Sequence, residues 1–205
     1  MAYTTIDDPE KYFQVKAYDG TGSSLAVTFD GDTDLQPDMV WLKRRSGSGN
    51  HFLYDSIRGA NRSLVPNDTD VEDTSGESTN YLSSFDSDGI TLGGSYNNTN
   101  ASGSTYVAWC WKANGTGSSN TDGTINTAAT SANTTAGFSI VSYTSNGSSS
   151  QTVGHGLGAV PHIIISKNRD SSSSSYNYWT VYHHKNSSAN DKKFKLNTND
   201  AASTT

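Results

Sequence analysis

Phe13, Tyr18 and Gly22 recur as Phe138, Tyr143 and Gly147, a constant offset of 125 residues. This internal copy restricts the fold more than any local propensity does, because one architecture must accommodate two diverged sequences. Pro37, Lys43 and Arg45 return as Pro161, Lys167 and Arg169 at an offset of 124. Tyr54 returns as Tyr182 at 128, and Asn67-Asp68 as Asn199-Asp200 at 132. A drifting offset is what insertions confined to loops produce.

The two copies differ in length. Beyond Asp68 the first continues through SSFDSDGITLGG to TYVAWCWKA, whereas the second has only five residues after Asp200. The second copy is therefore expected to lack its last strands. A polar ending, NDAASTT, reads as a cut in a loop. A longer natural chain is the preferred source of the missing strands, and a neighbouring molecule the alternative.

Composition sets the class. Helix formers are scarce among the many Ser, Thr, Asn and Gly residues, which compete with helical backbone bonding, while Val, Ile, Tyr, Trp and Thr suit a pleated surface. Short apolar runs at Tyr12 to Tyr18, Leu25 to Phe29, Met39 to Lys43 and His51 to Tyr54 are separated by turn-forming clusters. Asp88-Gly89 between apolar runs marks a tight hairpin, with Gly89 free to take positive φ. Tyr106 to Trp111 is apolar on both alternating faces, so it is expected to be a central strand. Ser56 to Val65 is the one stretch read as a possible helical turn.

The expected fold is all-β: two tandem antiparallel β-sandwich repeats of lectin-like jelly-roll type, the second incomplete, with about ten strands in a complete copy and a barrel as the rival. The expected organisation is an attachment arm over 1–12, a first unit over 13–113, a linker over 114–136 and a second unit over 137–205. The linker reading rests on NGTGSSNTDGTINTAATSANTTAG having almost no large side chains.

Several function classes are disfavoured. A hydrophobic content of 32% with no apolar run near bilayer length argues against membrane insertion. A net charge of -6 offers no basic stripe for nucleic acid. Cys110 is alone and cannot form an internal disulfide. An aromatic share of 10% argues against disorder.

The residue chemistry points away from catalysis. The histidines at 51, 155, 162, 183 and 184 lack zinc spacing, and adjacent His183 and His184 on a strand would face opposite ways. Asp30, Asp32 and Asp34 alternate as in a calcium loop, but Leu35 and Trp41 stand where an EF-hand needs Gly and Glu. A looser site with Asp38, or with Asp68, Asp70, Glu72 and Asp73, is the weaker alternative to a solvated acidic loop. No carboxylate pair is placed for glycoside hydrolysis. No catalytic, cofactor or metal residue is therefore assigned. Tyr176, Tyr178 and Trp179 are the candidates for stacking on a sugar, with a core role for Trp179 as the competing reading.

The opening MAYTTIDDPEKYFQVKAYDGTGSS, the segment LQPDMVWLKRR, the pair SFDSDGITLG and TYVAWCWKA, and TVGHGLGAVPHIIISKNR carry a resemblance. Together they resemble repeat-containing virion structural proteins of marine tailed bacteriophages, over nearly the whole chain. That resemblance implies a tail-fibre, head-fibre or decoration role on the virion exterior. Implied partners are other virion proteins, further copies in a homotrimer and a host-surface glycan. It carries no catalytic residues. The rival from another class is a free carbohydrate-binding adhesin or lectin module.

Overall fold

A computed structural model describes residues 6–75, 81–171, 177–186 and 192–204. The protein is all-β, with 41% strand and 2% helix. Every pair of named strands among the described residues is antiparallel.

The first unit is two facing sheets. One has the order β1-β8-β3-β4-β5 and comprises β1 (Phe13–Asp19), β3 (Met39–Arg44), β4 (His51–Asp55), β5 (Gly59–Leu64) and β8 (Thr105–Trp111). The other has the order β2-β7-β6, from β2 (Leu25–Val27), β6 (Leu82–Asp86) and β7 (Gly89–Leu92). Val40, Leu42, Phe52, Tyr54, Ala108 and Cys110 from the first meet Val27, Leu82, Ile90 and Leu92 from the second in one buried cluster. Period-two side-chain alternation creates this arrangement: in β8, Tyr106, Ala108 and Cys110 are buried while Val107, Trp109 and Trp111 lie on the opposite face. β8 is central, flanked by β1 and β3.

Two glycines are required by geometry. Asp86 pairs with Gly89 across a two-residue turn, and Gly89 has φ of 116°. A β-carbon on Gly89 would overlap the Val27 carbonyl oxygen. At Gly117, φ 71°, it would overlap the Thr130 carbonyl.

Several expectations change. The stretch considered for a helical turn, Ser56 to Val65, contains a turn and then β5. Among the described residues the first unit has eight strands, fewer than the roughly ten expected per copy. The 114–136 stretch, read as a linker, carries β9 (Ser118–Asn120) and β10 (Thr127–Asn133). With β11 (Phe138–Ser142) they form a three-stranded sheet, β11-β10-β9. Small side chains suffice there because hydroxyl groups do the joining: Thr127 and Thr130 bond each other at 2.8 Å, and Asn114 N donates to Ser131 Oγ at 2.7 Å. All three hydroxyl residues are buried.

A fourth sheet, β12-β13-β14-β15, contains β12 (Ile163–Ser166), β13 (Thr180–His183), β14 (Lys192–Lys195) and β15 (Ser203–Thr204). Its register reproduces the first unit. Val40 pairs with Tyr54 in β3-β4, and their repeat equivalents Ile164 and Tyr182 pair in β12-β13. Trp41 with Leu53 becomes Ile165 with Val181. The described residues of the second copy include no equivalents of β6, β7 or β8. The buried apolar cluster lies wholly between Val27 and Cys110.

Residues 8–12, expected to belong to an arm, are tied to the first unit. Asp8 caps the 3-10 turn Pro9–Lys11 and accepts from Thr33 Oγ1 at 2.7 Å, a bond that holds its carboxyl below the usual carboxylate range. Glu10 accepts from Asp32 N at 2.9 Å. Residues 1–5 lie outside the described residues.

Candidate interaction surface

The two copies meet along the loop 65–73. Trp179 is 4% exposed, and its Nε1 donates to the Val65 carbonyl at 2.9 Å. Lys167 Nζ donates to the Thr69 carbonyl at 3.3 Å, and Glu72 N donates to the Arg169 carbonyl at 2.9 Å. Burial lowers the Lys167 ammonium below its ordinary value, with Asp70 opposing that shift.

At the centre of this seam is a buried charge network. Arg58 Nε meets Asp55 Oδ2 at 2.5 Å, and Arg58 Nη1 meets Glu72 Oε1 at 3.2 Å. Arg58 also donates to the Arg62 and Leu53 carbonyls at 3.1 and 3.0 Å. Arg169 Nη1 reaches the same Glu72 Oε1 at 3.2 Å. One carboxylate thus joins an arginine from each copy. A buried guanidinium needs this density of partners, because leaving it unpaired is costly. Beside it lies an open groove of about 340 Å³, lined by Ile57, Arg58, Arg62, Ala129, Ser142 and Arg169 among others. Sequence reasoning missed the network: the acidic run was weighed as a solvated loop or cation site, and only the recurrence of Lys167 and Arg169 hinted at a shared role.

The two sugar-stacking candidates among the described residues, Tyr178 and Trp179, do not form an exposed platform. Trp179 is a packing residue, which corrects its reading as a stacking face. The Tyr178 ring is covered by the Lys195 ammonium at 3.9 Å from its centroid. Tyr176 lies outside the described residues.

The other sequence candidates are dispersed. Asp30 pairs with Lys16 and Asp38 with Lys112 at 3.5 Å. His51 Nδ1 accepts from Trp41 Nε1 at 2.9 Å, and burial, assisted by Lys43, lowers its imidazole pKa. His155 Nδ1 accepts from Leu157 N at 3.2 Å. The rings of His162 and His184 lie 4.0 Å apart, and His183 is 5.4 Å from His184. Among the described residues no three His, Cys, Asp or Glu side chains gather at metal-binding distances. Burial raises the Cys110 thiol pKa far above its ordinary value, opposite to what a nucleophile needs.

The most distinctive surface is apolar. Among the described residues, six of the nine exposed large hydrophobic residues belong to the second copy: Tyr143, Val160, Ile163, Ile164, Ile165 and Leu196. Ile163, Ile164 and Ile165 are 55%, 46% and 47% exposed, whereas Val40, the repeat equivalent of Ile164, is 0% exposed. Exposed isoleucines on both faces of one strand, Ile163 and Ile165 on one and Ile164 on the other, are the kind of surface that marks a contact site.

A family model described as a domain of unknown function, DUF7483, matches residues 8–205. No curated protein and no solved structure matches the chain.

Proposed function

The chain belongs to the DUF7483 domain family, and we propose that it is a bacteriophage virion structural protein. In this reading it forms part of a fibre or a capsid- or tail-surface appendage, built from lectin-like β-sandwich units. Its amino-terminal region anchors it to other virion proteins, it assembles as a homotrimer, and its distal part contributes to host-surface attachment. The observation that carries this reading is the exposed isoleucine strand beside a well-packed first unit: the molecule has a surface suited to neighbours. The duplicated sheet register and the sequence resemblance to repeat-containing virion proteins support the same role.

Quantitative mass spectrometry of purified particles from a host culture carrying the gene tests it. The expected result is this chain at a fixed copy number relative to the major capsid protein. Recovery solely from the particle-free fraction, as a glycan-binding monomer or dimer, would instead establish a free lectin.

A further inference from the structure

In the first unit β3 has two neighbours, β4 on one side and β8 on the other. Arg45 N donates to the Thr105 carbonyl at 2.7 Å, and antiparallel alternation then turns the backbone groups of Lys43, Trp41 and Met39 toward β8. In the second copy β12 keeps the equivalent of β4, namely β13. His184 N donates to the His162 carbonyl at 2.9 Å, so the same alternation turns the backbone groups of Ile163 and Ile165 away from β13. Ile163 and Ile165 are the repeat equivalents of Met39 and Trp41. Among the described residues no strand pairs with that edge of β12.

The flanking strand tells the same story. Among the described residues β1 pairs only with β8, and its equivalent β11 pairs with β10 on one side and with no strand on the other. The edge that β3 offers to β8 in the first unit is thus open on β12, and β11 likewise has one edge without a strand among the described residues. The side chains agree: Val40 is sealed beneath the opposing sheet, while Ile164 is exposed.

We propose that the edge of β12, with that of β11, is an acceptor for one antiparallel strand of β8 type, carried by polypeptide outside residues 1–205. The occupant alternates aromatic with small apolar residues, as TYVAWCW does, and follows an apolar hairpin like β6-β7 that covers Ile164. The established β3-β8-β1 interface specifies its register. The residue equivalent to Trp111 lies between Phe138 and Ile163, and the one equivalent to Trp109 between Ile140 and Ile165. Backbone pairing gives such strand addition its affinity and side-chain alternation its selectivity. The inference rests on the repeat alone and is independent of the virion reading.

The test uses the full chain in two forms: with residues 81–113 appended after Thr205 through a flexible linker, and unmodified with a peptide of residues 104–113 added. Amide exchange at Ile163 and Ile165 is the readout, with a peptide of scrambled sequence as control. Completion slows exchange at both amides by at least about tenfold, and the scrambled peptide does not. Ile164→Asp abolishes the protection while leaving exchange in β3 unchanged. Unaltered exchange at Ile163 and Ile165 in both forms, with β3 still protected, overturns the proposal. So does concentration-dependent protection of these amides in the unmodified chain alone, which would assign the edge to a second copy.

Discussion

Trp179 Nε1 donates to the carbonyl of Val65, 114 residues earlier in the sequence, at 2.9 Å. The bond is buried, so it fixes the second copy against the loop 65–73 of the first. Trp179→Phe keeps most of the ring packing and leaves the carbonyl without its donor. Chemical denaturation is expected to show a loss of about 1–3 kcal/mol. Trp179→Ala removes the packing as well, and its loss is about 3–5 kcal/mol.

Glu72 is the shared carboxylate of Arg58 and Arg169. Glu72→Gln leaves the buried Arg58 with Asp55 as its remaining ionic partner and is expected to cost about 3–5 kcal/mol. Replacing Arg58 with Met together with Glu72→Gln removes both members of this ion pair and leaves Asp55 as the one carboxylate that has lost its arginine. The double variant is therefore less destabilised than the sum of its single variants, which a double-mutant cycle of urea midpoints measures.

His51 accepts the Trp41 indole proton through Nδ1, which protonation would convert to a competing donor. Its folded pKa is lowered, chiefly by burial. The unfolded chain therefore binds this proton more readily, and the stabilising contribution is present above the unfolded value near 6.5 and is lost as pH falls through the folded one. Melting between about pH 7.5 and 5.5 is expected to show a shallow decline in Tm, flattened in His51→Gln.

Gly89 combines φ of 116° with close approach to the Val27 carbonyl. Gly89→Ala must strain the backbone or displace β2. A loss of about 1–3 kcal/mol is expected in equilibrium denaturation, with the β6-β7 hairpin amides most affected in exchange.

What could be read from the sequence followed side-chain size. Met39 to Lys43 and Tyr106 to Trp111 are strands because their apolar runs carry an unmistakable pattern, and the repeat matched Lys43 with Lys167 and Tyr54 with Tyr182, while the pairing of Ile164 with Tyr182 as of Val40 with Tyr54 came only from the structure. β9 and β10 escaped notice because Ser, Thr and Ala give no hydrophobic period: their sheet is held by bonds such as Thr127 to Thr130. The Arg58 network was equally silent. Its members are charged residues in separate loops and strands, brought together only by tertiary folding. Trp179 carried both a surface reading and a core reading, and its hydrogen bond to Val65 identifies the latter.

The central claim is that two equivalent hairpins differ in one neighbour: β3 is enclosed by β8 and β12 is open. Native-state hydrogen exchange on the unmodified chain compares them within one molecule. The account predicts strong protection at Met39 and Trp41 and rapid exchange at their equivalents Ile163 and Ile165, unchanged on dilution. Equal protection at all four amides would contradict it.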